Sequence, residues 1–399
     1  MKELISDEKE IEIMNGKSSI LKKIQLLSKL ALIIVFLSEV SCVTEFIPQI
    51  DENAELVVVE GVITDRQETQ SIKLSRSLPF GERSTAKPLS GCSVTVTDDL
   101  GSRFVLSETA IGTYTLPASF HGSVGRFYTL HIKTGKSNNN LSYESYPVEM
   151  KPVPAIDSIY SEKVVVQERT GDFFGIDGCN IFLNTYDPGN ICRYYRWDFT
   201  ETWVLRLLWP VDNIKCWVSD RSHEILLKST AAFDDSRIEG QAVTYISNET
   251  DRLSRKYSIE VNQYSLNPEE FSYLEKIKNL NVGVGGLYDK IPASIPNNMI
   301  CIENPNEKVL GYFSVSAKSS RRIFIEGDFR GIIDRYNKCP VDTIYGDYDP
   351  PDLYLTLWPI MDHPQSFGSP RTRVLTDDKG CADCTVRGTK VKPDFWIGD

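Results

Sequence analysis

The feature that most constrains the fold of this chain is a series of short segments in which apolar and polar residues alternate. Between Glu55 and Met150 these segments follow one another at close spacing, with turn sequences between them. Residues 71–75 and 93–97 alternate with a period of two, which places their apolar side chains on one face of a strand. About seven such strands predict a β-sandwich of immunoglobulin-like size over residues 43–150.

Three features of this region resemble those of carboxypeptidase-regulatory-like or transthyretin-like sandwiches: the turn 98–101, the Gly-x-Tyr sequence 112–114 and the strand 128–132. The expected sandwich is therefore of immunoglobulin-like or transthyretin-like type.

The chain beyond this region is again rich in strand-forming residues. Several prolines cluster around Lys151 and predict a domain boundary there, because proline stiffens the chain and interrupts strand pairing. Residues 151–399 are then expected to form a larger, disulfide-braced β domain with one or two short helices. One helix is expected to begin at Pro268, since Asn267 is a suitable N-cap and acidic residues follow. The predicted fold class is therefore mainly β.

The N-terminal segment has the pattern of an export signal. Lysines precede the apolar run 30–37, which is too short to span a bilayer, and Ser41 and Cys42 follow. A small residue before a cysteine is typical of lipoprotein signal peptidase sites. Residues 1–42 are therefore predicted to be a lipoprotein signal peptide, with Cys42 carrying palmitate-type acyl chains. Met14 is an alternative start, and an uncleaved anchor helix or cleavage elsewhere is the alternative interpretation.

The number of cysteines agrees with export. The chain has nine, so eight are left once Cys42 is assigned to lipid, and eight can form up to four disulfides. The candidate disulfide cysteines are Cys92, Cys179, Cys192, Cys216, Cys301, Cys339, Cys381 and Cys384.

Two of these cysteines, Cys381 and Cys384, have the spacing of a zinc or redox site. No second ligand pair with that spacing and no βαβ pattern accompany them, which favours two disulfides that leave from adjacent positions. Candidate pairings elsewhere are Cys179 with Cys192 or Cys216, and Cys301 with Cys339.

Charge and motifs exclude several functional classes. The net charge is −11, and no basic run is longer than Arg321-Arg322, which argues against a nucleic-acid partner. The chain lacks the His-x-x-x-His and Gly-x-Ser-x-Gly motifs of zinc and serine hydrolases. The acidic segment 345–352 departs from calcium-loop spacing and is interpreted as a solvated loop. No catalytic residue, metal ligand or cofactor is predicted.

Tryptophan is the more informative residue type. All six tryptophans lie between residues 197 and 396, and this side chain is common both in cores and at binding surfaces. Trp203 and Trp209, in a stretch rich in leucine, are the candidates for a partly exposed contact loop. Packing in the core is the alternative for each of them.

Several segments together resemble a family of Bacteroidetes lipoproteins known as domain of unknown function 4249. The resemblance runs from about Cys42 to Trp396. The segments that carry it include 56–65, 74–77, 154–159, 195–198, 216–217, 257–264, 304–313, 381–384 and 393–396.

This resemblance implies an accessory function rather than a reaction. The family has no assigned activity, and its members are often encoded beside TonB-dependent receptors. We therefore expect an outer-membrane lipoprotein, on either face of the membrane, that partners such a receptor and binds a small molecule, peptide or glycan. Alternatives are an envelope hydrolase or protease, and a structural or adhesive surface protein. Ser158 and Thr343 also fit the short O-glycosylation pattern of exported Bacteroidetes proteins.

Overall fold

Regular structure in the described part of the chain is almost entirely β-strand, which confirms the prediction of a mainly β fold. The computed structural model describes residues 56–77, 87–135, 140–166, 176–283, 297–327, 339–346 and 356–398. The strands are β1 (Val57–Thr64), β2 (Ser71–Arg76), β3 (Lys87–Pro88), β4 (Ser93–Asp98), β5 (Arg103–Val105), β6 (Ser107–Ala110), β7 (Thr113–Thr115), β8 (Phe127–Lys133), β9 (Ser142–Ser145), β10 (Val148–Glu149), β11 (Ile156–Val166), β12 (Ile176–Asp187), β13 (Tyr194–Arg206), β14 (Lys215–Arg221), β15 (Leu226–Ser229), β16 (Ser236–Ser247), β17 (Tyr257–Ser265), β18 (Met299–Cys301), β19 (Val309–Ser316), β20 (Lys318–Ile325), β21 (Asp342–Tyr345), β22 (Trp358–His363) and β23 (Thr372–Thr376). The helices are α1 (Pro268–Gly283), α2 (Lys379–Ala382) and two single 3₁₀ turns, Asp251–Leu253 and Cys384–Val386.

Two sheets enclose a first hydrophobic core. One has the order β19-β1-β2-β7-β6, with β3 beside β2, and the other has the order β18-β9-β8-β4-β5, with β10 beside β8. In β8 the side chains of Tyr128, Leu130 and Ile132 are buried, whereas Phe127 and Lys133 are exposed, as a strand with one face on a core requires. The immunoglobulin-like or transthyretin-like topology stays a prediction.

This first sandwich includes two strands from far along the chain. β19 pairs in parallel with β1 along its whole length, from Val57 opposite Val309 to Thr64 opposite Ser316, and β18 pairs with β9. Phe313 and Val315 of β19 are fully buried in the first core. The division at residue 150 stays a prediction, but strands on both sides of it build this sandwich.

A second core lies around the long strands of the later part of the chain. The third sheet has the order β11-β12-β16, and the fourth has the order β14-β13-β17-β20, with β15 beside β13. Tyr195 and Trp197 of β13 are buried and stacked, with ring centroids 5.7 Å apart. A small fifth sheet has the order β21-β23-β22.

The proline-rich segment between the two cores is held by side chains of β17 and the residue before α1. Gln263 Nε2 donates a hydrogen bond to the Pro154 carbonyl oxygen at 2.9 Å, and Asn267 Nδ2 donates to that of Glu149 at 2.9 Å. Ser265 Oγ donates to the Lys151 carbonyl oxygen at 2.6 Å. These bonds give three backbone carbonyl groups of this segment a hydrogen-bond partner.

Helix α1 begins at Pro268, as predicted. Its first turn packs Phe271 against Tyr194, with ring centroids 5.1 Å apart, and Tyr273 packs against Tyr312 at 5.0 Å. Glu270, in the first turn of the helix, is fully buried, and burial raises its pKa to about 7 although the Ser314 hydroxyl and the Arg196 charge act in the opposite direction. Among the described residues, no helix has the length and apolar character needed to cross a membrane.

Two disulfides brace the later part of the chain: Cys216 bonds Cys384, and Cys339 bonds Cys381. The two cysteines of the Cys-x-x-Cys motif therefore enter separate disulfides, which is the arrangement that the sequence favoured. The pairings considered for Cys216 and Cys339 were wrong, because both sulfurs bond to that motif instead.

The other four candidate cysteines among the described residues have free thiols. Cys179, Cys192 and Cys301 are buried in the cores, and Cys92 is partly buried. Burial raises the pKa of Cys179 to about 11 and that of Cys192 to about 12, so these thiols pack as small apolar side chains.

Candidate functional site

A surface cleft of about 340 Å³ lies at one end of the fourth sheet, near the lower limit of typical ligand sites. Its walls come from the end of β13, the start of β14, the residues that lead into β17 and the residue that follows β20. The lining residues are Val204, Arg206, Lys215, Arg255, Lys256 and Glu326.

The register of β13 and β14 places two positive charges side by side. Arg206 is the direct antiparallel partner of Lys215. Because side chains alternate along a strand, Leu205 points into the second core and Arg206 points away from it. Like charges directly opposite each other destabilise a sheet by roughly 0.2–1 kcal/mol, so this pair is an unfavourable feature of the free protein.

The remaining charges do not cancel this repulsion. Lys256 forms an ion pair with Glu326 and donates a hydrogen bond to the Ile397 carbonyl oxygen. Arg206, Lys215 and Arg255 form no ion pair with any described residue. Three uncompensated positive charges therefore face the cleft of a chain whose net charge is −11.

An apolar cluster lies behind the cleft. Val204, Trp217 and Trp396 are buried together, and Phe324 packs against them. Lys215 Nζ lies 5.0 Å from the centroid of the Trp217 ring, and Lys256 Nζ lies 5.1 Å from that of Phe324, so ring faces support both ammonium groups.

The C-terminal segment that supplies Trp396 is fastened to β14. The backbones of Trp217 and Thr389 exchange two hydrogen bonds, of 2.8 and 2.9 Å. The disulfide between Cys216 and Cys384 attaches the same segment one residue earlier in β14. The apolar wall of the cleft therefore depends on a covalent link.

The two tryptophans predicted as contact residues have different positions. Trp203 is 6% exposed and packs in the second core, so the expectation that it is partly exposed was wrong. Trp209 is partly exposed, and it lies in the loop that joins Arg206 to Lys215, beside an exposed Leu208. Of the two predicted contact residues, Trp209 is therefore the partly exposed one, and its loop connects two residues that line the cleft, Arg206 and Lys215.

The other predicted positions lie apart from the cleft. Ser158 is half-buried on β11 and accepts a hydrogen bond from Asn184 Nδ2 at 3.1 Å, and Thr343 is exposed on β21. Their glycosylation stays a prediction. Cys42 and most of the acidic segment, residues 347–352, lie outside the described residues.

A second polar network is closed to solvent. Arg252 Nη1 donates to both carboxylate oxygens of Glu201, at 3.0 and 3.2 Å, and the Tyr257 hydroxyl donates to one of them at 2.7 Å. Glu201 and Tyr257 are buried, so this network stabilises the second core. No group of three or more His, Cys, Asp or Glu side chains in the described part of the chain is arranged to hold a metal ion.

Sequence reasoning missed the positive charges of the cleft. Arg206 and Lys215 are separated by a loop, and Arg255-Lys256 lies much further along the chain. One signal in the sequence was that only residues 207–214 separate Arg206 from Lys215. If these residues form the turn of a hairpin, the two cations lie side by side.

The sequence profile described as domain of unknown function (DUF4249) matches residues 43–322. The chain belongs to the DUF4249 family. The matched range starts next to Cys42 and includes all four cations of the cleft. Glu326 and Trp396 lie beyond its end, so the match is shorter than the resemblance, which was expected to reach Trp396. No curated protein matches this DUF4249 chain.

Proposed function

We propose that this DUF4249 protein is a Bacteroidetes outer-membrane lipoprotein, anchored through Cys42, that binds a ligand as the non-enzymatic partner of a TonB-dependent receptor in nutrient uptake. The observation that carries the proposal is the cleft, in which Arg206, Lys215 and Arg255 face solvent without an ionic partner among the described residues. Charges left uncompensated at a sheet end lower stability, and a bound ligand would offset that cost.

The scaffold suits binding. The charged side chains belong to, or flank, strands of one sheet, and the disulfide from Cys216 to Cys384 holds the apolar wall behind them. Groups on rigid strands lose little conformational freedom when a ligand arrives, which favours affinity. In this proposal, Cys42 supplies the anchor, because acyl chains contribute about 0.8 kcal/mol per buried CH₂.

The decisive experiment is a pull-down of affinity-tagged full-length protein from detergent-solubilised outer membranes, with partners identified by mass spectrometry. A stoichiometric TonB-dependent receptor is the expected result. If the protein is recovered alone, receptor partnership is contradicted, and the hydrolase and adhesion alternatives become the leading ones.

A matched pair of variants tests the anchor separately. Cys42→Ser is expected to move the protein from the membrane fraction to the soluble fraction. Cys92→Ser, which changes a partly buried free thiol, should leave the distribution unchanged. A Cys42→Ser protein that stays in the membrane fraction of a strain lacking the receptor would contradict the lipid anchor.

A further inference from the structure

We propose that the cleft binds a small multivalent oxyanion, a molecule with two or more carboxylate, phosphate or sulfate groups. The inference rests on the proposed function for its biological setting and deepens it by naming the class of ligand. Anion binding itself requires no receptor, so the two proposals fail in different experiments.

The first argument is charge and hydrogen-bond geometry. Arg206 and Arg255 are exposed guanidinium groups without ion pairs among the described residues, and such groups bind oxyanions through two parallel N–H donors. Lys215 adds a point charge directly opposite Arg206. A ligand with one negative charge would leave most of the repulsion among these three cations in place, whereas a ligand with two or three negative charges would compensate it.

The second argument is the surroundings of these charges. Val204 lines the cleft, and the buried Trp217 and Trp396 lie behind it. Apolar material beside a charge lowers the local dielectric constant and strengthens its attraction for an anion. Glu326, the one carboxylate in the lining, is paired with Lys256. The field in the cleft is therefore positive.

The third argument is size. At about 340 Å³ the cleft accepts a small molecule or the end of a chain, and it cannot enclose a folded partner. Leu208 and Trp209, in the adjoining loop, extend the surface with apolar contacts for the uncharged part of a ligand.

The test is isothermal titration calorimetry on the full-length protein in detergent. Tripolyphosphate, citrate and a trisulfated disaccharide serve as probes, and they distinguish phosphate, carboxylate and sulfate as the source of the oxyanion. At least one probe is expected to bind one-to-one, more weakly as salt increases. Arg206→Ala and Arg255→Ala should each raise its Kd by about tenfold.

Two further variants keep the outcome interpretable. Arg221→Ala removes an exposed arginine at the far end of β14 and should bind like the wild type. Arg206→Lys keeps the charge but loses the two parallel N–H donors, so its Kd should lie between those of the wild type and Arg206→Ala. Thermal melting confirms the fold of each variant. The inference is overturned if no probe binds, or if Arg221→Ala weakens binding as much as Arg206→Ala.

Discussion

Cys216, the residue before Trp217, is bonded to Cys384 at a sequence separation of 168 residues. The bond attaches the C-terminal segment to the strand that carries Lys215, and it does so next to the ring that packs against Trp396. One covalent link thus connects the stability of this segment to the shape of the cleft.

Removal of that disulfide should affect both properties. The Cys216→Ala/Cys384→Ala variant is expected to lose about 2–5 kcal/mol of unfolding free energy, because the bond closes a long loop. It should also bind the anionic probe more weakly, since Trp396 loses its fixed position. Urea unfolding and calorimetry measure the two effects.

The second disulfide provides the control. Cys339→Ala/Cys381→Ala removes a disulfide with a sequence separation of only 42 residues. The free energy of unfolding should therefore fall by less than in the Cys216→Ala/Cys384→Ala variant, and anion binding should be unchanged. Equal loss of binding in both variants would show that the link at Cys216 has no special relation to the cleft.

Gln263 gives a second prediction, about the segment that joins the two cores. Its side chain is fully buried: Oε1 accepts a hydrogen bond from Trp197 Nε1 at 2.8 Å, and Nε2 donates to the Pro154 carbonyl oxygen and to Thr185 Oγ1. Gln263→Leu removes the partner of Trp197 Nε1 and of the Pro154 carbonyl oxygen, whereas Thr185 Oγ1 keeps its bond to the Ala155 carbonyl oxygen. The change should lower the free energy of unfolding by about 2–4 kcal/mol.

The matched change is Gln241→Leu on β16. Its amide donates to the Ala242 carbonyl oxygen at a partly exposed position, so the free energy of unfolding should change by less than about 0.5 kcal/mol. The comparison is made by urea unfolding, and equal losses would mean that the buried amide does not fix the proline segment.

Much of the local structure could be predicted, whereas strand partners could not. The Asn267-Pro268 pair located the start of α1, and alternation located β2 and β4. Alternation identifies a strand but not its neighbour, so nothing local indicates that Val309 lies opposite Val57.

The candidate site was harder to predict for a related reason. A shift of one residue in register moves every side chain to the other face of a sheet, so the sequence alone did not place Trp203 inside and Arg206 outside. The cleft requires the pairing of β13 with β14 and the arrival of Arg255 from another connection, and both are tertiary facts.

Glu270 gives a third prediction, a dependence of stability on pH. Its pKa is raised from 4.5 to about 7 in the folded protein because the carboxyl is fully buried. The raised pKa contributes fully to the free energy of unfolding below about pH 4.5, and this contribution is lost as pH rises through about 7. The reason is that the folded protein holds a proton that the unfolded chain releases. The loss amounts to about 3 kcal/mol.

Glu270→Gln should remove this dependence, because the amide stays neutral. Unfolding free energies of the variant and the wild type, measured from pH 5 to 8, should diverge as pH rises. Glu269→Gln changes the exposed neighbour in the same helical turn and should follow the wild type. A Glu270→Gln curve parallel to that of the wild type would exclude titration of this carboxyl.

The cross-strand pair of Arg206 and Lys215 gives the last prediction, in which stability and binding change in opposite directions. Arg206→Glu replaces a repulsive pair with an attractive one, so the free protein should gain roughly 0.2–1 kcal/mol. The same change removes one positive charge from the cleft and adds a negative one, so the anionic probe should bind at least tenfold more weakly.

A change at the other end of β14 separates this effect from a general effect of charge. Arg221 is the cross-strand partner of Thr200, so Arg221→Glu creates no opposite-charge pair across the strands and should neither stabilise the protein nor weaken probe binding. Urea unfolding without the probe and calorimetry with it measure the two quantities. If Arg206→Glu destabilises the protein, Arg206 has a structural partner and the cleft does not hold an uncompensated charge. If the variant is more stable and binds the probe more weakly, the repulsion between Arg206 and Lys215 lowers the stability of the free protein and raises the affinity of its ligand site.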